Sequence, residues 1–326
     1  LYATVVAWCH CLITTSSAVE AKRPFSHADF DAWRSITNPV ISRDGRYLAY
    51  AYMPLEGDGD VIVRDLSNRR EQRVPAGALP APPLNGSEAD PERPAPRASV
   101  SLAITSDSRF VVARVFPSQA ETTNARRASK KPAEMPAQSL AVIAVASGEV
   151  TRLPGVKDYR IPASGGAWLA YHKTATPDPS LAIAPADQPA GDKLGTDLVL
   201  RDLAAATERV FPHVLEYSWA RDGQTLVFTV SAPNPADNGI YAVTPGNPAG
   251  PVALARGPGR YLHFTWDRTE TQAVFLSDHE DAAAKPPQLS LYHWLRGSTD
   301  VAKVLSSQSP GMPANFALSA DAAPSF

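Results

Sequence analysis

Ile41-Ser42-Arg43-Asp44-Gly45-Arg46-Tyr47-Leu48-Ala49-Tyr50 is a polar turn running into an apolar strand. Trp219-Ala220-Arg221-Asp222-Gly223-Gln224-Thr225-Leu226-Val227-Phe228 repeats the same phrase. Weaker echoes lie at 104–113, 161–171 and 266–275, and a further one begins at Leu318-Ser319-Ala320-Asp321. Asp and Gly favour such a turn for separate reasons: Asp bonds backbone amides two residues on, and Gly accepts positive φ. The third and fifth copies are degenerate, with Gly165-Gly166 and Thr269-Glu270 in place of Asp-Gly. Self-similarity with a period of tens of residues indicates stacked modules.

Working outward from the turn, each copy leads into a strand at 47–52, 110–116, 168–171, 226–230 or 273–276. After a variable loop a second strand follows, at 61–66, 140–145, 198–203, 240–243 or 289–292. A short polar turn and an edge segment such as Glu149-Val150-Thr151-Arg152-Leu153 close the unit. The strands are rich in β-branched and aromatic residues. One small sheet of this kind cannot bury both of its faces alone. Stacked around an axis, each sheet covers its neighbour, so the expected fold is all-β, a β-propeller of four-stranded blades. The count is five units and the start of a sixth, near 39–75, 99–154, 155–212, 213–257, 258–308 and 309–326. Before them, residues 26–36 read as a short helix within an N-terminal clasp over 22–38. Ser26 caps it, and Phe30, Trp33 and Ile36 share one face. Three stretches, 75–98, 117–138 and 174–195, read as surface loops. The second carries Arg126-Arg127 and Lys130-Lys131, four charges with no aromatic interleaving, and is read as solvated.

The bulk numbers narrow the class. With 326 residues, 44% hydrophobic and 20% charged, a packed core is expected and disorder throughout is excluded. A net charge of -2 provides no electrostatic footprint for nucleic acid, and 31 prolines argue against long helices. Residues 1–21 read as a secretory signal peptide lacking a basic n-region. Val19 and Ala21 occupy the small-residue cleavage positions, and Lys22 is the first mature residue. The apolar run is too short to span a bilayer, and no other candidate span is present. Both cysteines, Cys9 and Cys11, fall in this segment, where two thiols do not complete a tetrahedral metal site and bulky Trp8 disfavours lipidation of Cys9. The mature chain is thus expected in the periplasm or outside the cell, without disulfides.

A search for chemistry finds little. There is no Gly-x-Ser-x-Gly elbow, no phosphate-cradling Gly-x-x-x-x-Gly-Lys-Ser/Thr, no Gly-x-Gly-x-x-Gly after a strand and no His-Glu-x-x-His. Asp278-His279-Glu280-Asp281 holds three carboxylates and an imidazole, a cation-binding chemistry, but reads better as the polar turn between two strands of the fifth unit. His263 is expected to face one side of a strand. Asp65 and Asp202, each after an Arg in a shared Val/Leu-Arg-Asp-Leu phrase, are expected to satisfy local turns. No catalytic, cofactor-binding or metal-binding residue is assigned, and no cofactor is expected.

Phe30-Asp31-Ala32-Trp33-Arg34-Ser35-Ile36, followed by 39–50, resembles the start of secreted bacterial serine peptidases of the prolyl oligopeptidase family. The signal-like segment and the basic insertion at 126–131 fit that resemblance. It covers residues 25–326, specific at the N-terminus and merely propeller-like afterwards. It implies a propeller that caps a C-terminal α/β-hydrolase domain with a Ser-Asp-His triad and admits peptides while excluding folded proteins. This sequence departs from the pattern. It ends inside a repeat with no hydrolase domain, so no triad residue carries over, and no two glutamates are adjacent to hold a substrate amino terminus as in dipeptidyl peptidases. The expectation is a substrate-gating propeller truncated before its catalytic domain, inactive alone and poorly soluble because strand edges are left open. The alternative is a free-standing periplasmic scaffold similar to TolB-type propellers, binding protein partners through the loops of one face.

Overall fold

The computed structural model describes residues 26, 33–80, 98–174, 193–313 and 315–326. The expected signal segment, and residues 27–32 of the expected helix, lie outside these. Nineteen strands make up the described chain, with one α-helix. The first unit is an antiparallel sheet in the order β1 (Arg34–Ile41), β2 (Tyr47–Pro54), β3 (Asp58–Asp65), β4 (Glu71–Ala78). The second repeats that order with β5 (Leu102–Ile104), β6 (Phe110–Val115), β7 (Ser139–Ala144) and β8 (Val150–Pro154). The fifth does so with β16 (Tyr261–Trp266), β17 (Gln272–Ser277), β18 (Ser290–Leu295) and β19 (Val301–Leu305). The third and fourth units share one seven-stranded sheet: β9 (Val156–Arg160), β10 (Trp168–Lys173), β11 (Thr196–Asp202), β12 (Thr207–Trp219), β13 (Leu226–Val230), β14 (Gly239–Val243) and β15 (Val252–Arg256).

The fusion has a local cause. β12 is a 13-residue strand whose first half pairs with β11 and whose second half pairs with β13. At its centre His213 turns left-handed, at φ 55°, directly after Pro212. The outer strand of one unit thereby becomes the inner strand of the next without a loop. Gly195 lies against this bend, where a Cβ would sit 2.1 Å from the His213 carbonyl oxygen.

Burial explains the radial arrangement. In β6, Val111 and Ala113 face the first unit, while Val112 packs on the third. In β10, Leu169 and Tyr171 point back and Ala170 points forward. In β13, Leu226 and Phe228 pack one way and Val227 the other. Both faces of these units are therefore apolar, and each core lies between two successive units. The fold is a β-propeller. The first strands of neighbouring units meet, β1 with β5 and β12 with β16, and so line the axis.

Three expectations are corrected. Residues 34–36 open β1 and are not helical, because Ser35 and Ile36 pair with Met53 and Tyr52 of β2. β4 runs through Pro75 to Ala78, three residues beyond the expected end of the unit. The basic stretch 117–138 is not all loop, since α1 (Gln119–Arg127) forms there behind a Ser118 capping box. Ser118 Oγ accepts from Glu121 N at 3.1 Å, and the Glu121 carboxylate accepts from Ser118 N at 2.7 Å. Ser118 with Glu121 three residues later is the capping-box spacing, which a reading by composition does not pick out. Residues 315–326 contain no strand among the described residues, yet Leu318 and Ala320 pack on Leu262, Leu276 and Leu289 of the fifth unit.

Candidate functional site

The repeated phrase builds one end of the propeller. In the first unit Ser42 Oγ donates to Asp44 Oδ1 at 2.5 Å, and the same oxygen accepts from Arg46 N at 3.0 Å. Thr105 and Asp107 reproduce this in the second unit, at 2.6 Å. The left-handed position falls on Gly45, Ser108, Gly166, Gly223 and Glu270. The turns then touch in succession around the ring. Asp44 N reaches Ser108 Oγ at 3.5 Å, Gly166 N bonds Ser106 Oγ at 3.3 Å, and Ser164 N bonds Arg221 O at 2.7 Å. Glu270 has its carboxylate on Arg221 N at 2.6 Å and on Arg221 Nε at 3.1 Å, which explains a buried glutamate at a left-handed position.

A second set of contacts joins the inner strands around the axis. Asn38 Nδ2 donates to Val100 O at 2.7 Å, and Tyr159 OH to Ser101 Oγ at 3.3 Å. Tyr217 OH donates to Asp158 Oδ1 at 2.7 Å, and Glu216 Oε2 accepts from His263 N at 3.0 Å. Each neighbouring pair of units is thus bridged by a side chain of an inner strand.

Between β5 and β9 these strands leave a cleft of about 620 Å³ with mixed polar and apolar walls, Ile161 among the lining residues. Ser99, Ser101 and Ala103 line one wall, and Asp158, Tyr159 and Arg160 the other, with Arg114 of β6 between them. Asp158 is fixed from behind: Oδ2 lies 3.1 Å from Nδ1 of His172, a buried residue of β10, while Oδ1 takes the Tyr217 hydroxyl. The His172 and Tyr217 rings meet edge to face at 4.8 Å. Burial alone would raise the Asp158 carboxyl, but the hydrogen bonds from His172 and Tyr217 together hold it below its ordinary value. Tyr217 moves the other way, pushed well above the usual phenol range by burial and by the adjacent carboxylate. The Arg160 guanidinium stacks over the Tyr217 ring at 5.6 Å, and Arg114 Nη2 donates to Lys157 O at 3.1 Å.

Asp158 and His172 form a carboxylate-imidazole pair, but His172 Nε2 is buried and has no hydrogen-bond partner. The nitrogen that would face a nucleophile is thus enclosed, and the contact the pair makes is one that positions Asp158. Residues weighed from the sequence lie elsewhere. Asp65 accepts from Ser67 N at 2.9 Å and pairs with Arg46, and Asp202 accepts from Ala204 N at 2.8 Å, both as local turns. Asp278 pairs with Arg260 at 2.7 Å, and His279 bonds Ser277 Oγ and stacks on Tyr261, which makes 278–281 a polar turn after β17. His263 sits at a left-handed bulge of β16 with Nε2 2.6 Å from Ala320 O. Among the described residues no three His, Cys, Asp or Glu side chains converge on one point, and no helix is long and apolar enough to cross a membrane. Sequence reading passed over Asp158, His172, Tyr217 and Arg160, because none sits in a recognisable motif.

No protein-family model matches the chain, and no curated protein matches it. Solved structures similar to it include a prolyl endopeptidase, at 16% identity and a TM-score of 0.41, covering 83% of this chain and 35% of that one. The β-propeller domain of the Trilobed protease from Pyrococcus furiosus matches at 10% identity and 0.38, covering 83% and 72%. Pyrococcus horikoshii acylaminoacyl peptidase matches at 10% and 0.40, covering 84% and 40%. The chain therefore spans 35% of the length of the prolyl endopeptidase and 40% of that of the acylaminoacyl peptidase.

Proposed function

We propose that this chain is the noncatalytic, substrate-gating propeller of a secreted or periplasmic prolyl oligopeptidase-like serine peptidase, whose α/β-hydrolase domain lies outside these 326 residues. The observation that carries the reading is the axial cleft between β5 and β9. Its walls offer hydroxyls, guanidinium groups and strand backbone to an extended peptide. The inner strands are tied to one another by side chains, so the opening is braced against widening for a folded domain. The phrase at 30–50, which resembles the start of those peptidases, supports the same reading.

Sequencing the gene beyond the Phe326 codon tests it. The expected result is an open frame encoding Gly-x-Ser-x-Gly within a few hundred codons, and co-expression of that segment is expected to confer hydrolysis of Pro- or Ala-containing chromogenic peptides. Finding no such frame overturns the reading and leaves the free-standing scaffold. The export component has its own test: N-terminal sequencing of the exported protein is expected to begin at Lys22, and an uncleaved cytosolic product overturns it.

A further inference from the structure

We propose that the axial cleft is a carboxylate-binding subsite, in which Arg114 and Arg160 receive the free C-terminal carboxylate of a short peptide. The proposal deepens the gating reading by naming a substrate class, and its geometry stands on the cleft alone. Two guanidinium groups and one carboxylate line the cleft, Arg160 and Asp158 on one wall and Arg114 between the walls, which leaves one unbalanced positive charge. The carboxylate does not cancel either arginine by contact. Both Asp158 oxygens are engaged from behind by His172 and Tyr217, and neither Arg114 nor Arg160 has a carboxylate within ion-pair distance among the described residues. Arg160 is held in place by its stacking on Tyr217, and Arg114 by one donor on Lys157 O. Each therefore keeps free donors in a fixed direction. A planar guanidinium with spare donors fits a carboxylate better than any neutral group. Ser101 and Tyr159, bonded to each other at 3.3 Å across the cleft, supply hydroxyls for the adjoining backbone.

Asp158 is then a positioning residue. Tied to buried His172, it holds Tyr217, and Tyr217 in turn carries Arg160. No bond is formed or broken in this step, so it is binding alone.

The test is calorimetric titration of the full chain with a short Ala/Pro tetrapeptide as its free acid, as its C-terminal amide, and with inorganic phosphate as a third probe. The expected result is roughly ten- to hundred-fold tighter binding of the acid than of the amide, the scale of one charged hydrogen-bonded contact. Arg160→Gln and Arg114→Gln are each expected to reduce that preference with unchanged melting temperature, since both side chains reach solvent. Tyr217→Phe, which keeps the ring under Arg160 but loses the hydroxyl held by Asp158, is expected to reduce it less than either arginine change. Equal binding of acid and amide, no binding of either to folded protein, or phosphate binding as tightly as the acid each overturns the proposal. If the acid is preferred but no hydrolase frame follows the gene, the subsite stands and the gating reading fails; the opposite pair of results fails the subsite alone.

Discussion

Tyr217 joins three roles in one side chain: its ring supports Arg160, its edge meets His172, and its hydroxyl holds Asp158. Tyr217→Phe keeps the ring and removes the donor. The expected loss is about 1.5 to 3 kcal/mol, typical of a hydrogen bond to a charged group. Urea denaturation measures it, and an unchanged midpoint would show that the hydroxyl is not engaged in solution. Asp158 makes this site sensitive to pH in a defined direction. Its folded pKa is depressed, so its stabilisation is complete above the unfolded value of about 4 and is lost as pH falls through the lower folded value. Asp44, Asp65, Asp222 and Asp267 are lowered as well, so melting scans from neutral pH down to about pH 3 should show a decline in both proteins that is steeper in the wild type than in Asp158→Asn. None of this was legible in the sequence, because Asp158 is 14 positions from His172 and 59 from Tyr217.

The turns are the elements that carry the repeat, and their glycines separate two effects. Gly45 has φ 71° with open space where a Cβ would stand. Gly165 has φ 93°, and a Cβ there would lie 2.2 Å from Asp222 O; at Gly223, with φ 71°, it would lie 2.3 Å from Ser164 O. Gly45→Ala is expected to cost about 1 kcal/mol for the left-handed backbone alone. Gly165→Ala and Gly223→Ala are expected to cost more than about 2 kcal/mol each, because the turn-to-turn contact must also open. Equilibrium unfolding of the three variants decides whether the ring of turns is formed. The need for Gly was readable from the Asp-Gly pattern, but the neighbouring turn that makes it strict at 165 and 223 was not. For α1, Ser118→Ala removes the Oγ half of the capping box, leaving the bond from Ser118 N to the Glu121 carboxylate, and is expected to cost about 1 kcal/mol. Hydrogen exchange should then speed up in 119–122 while the sheets remain protected.

At the scale of the whole molecule, stability is divided among cores that lie between successive units. Phe275 is fully buried between the fourth and fifth units, stacked on Tyr292 at 5.4 Å. Phe275→Ala is expected to cost about 3 to 5 kcal/mol. In the first unit burial alternates along β2: Tyr47, Ala49, Ala51 and Met53 are buried, while Leu48, Tyr50 and Tyr52 are only partly covered. Tyr50→Ala should therefore produce a clearly smaller shift of the denaturation midpoint. Equal losses at the two positions would mean that the outer face of the first unit is covered in solution.

What the sequence by itself determined is the local grammar: a Ser/Thr-x-Asp-Gly turn, an apolar strand, a second strand, repeated along the chain. Those features depend on residues within a few positions of one another, and apolar residues on both strand faces required a radial stack. The resemblance at 30–50 was equally local. Only the tertiary structure decided the rest. It made 34–36 a strand because β2 offered partners, and it let β12 serve two units because Pro212 and His213 bend without breaking it. It also gathered Arg114, Asp158, Arg160, His172 and Tyr217 at one cleft. A propeller brings inner strands together at its axis however far apart they lie in the chain, so the residues that meet there have no spacing by which a sequence could reveal them.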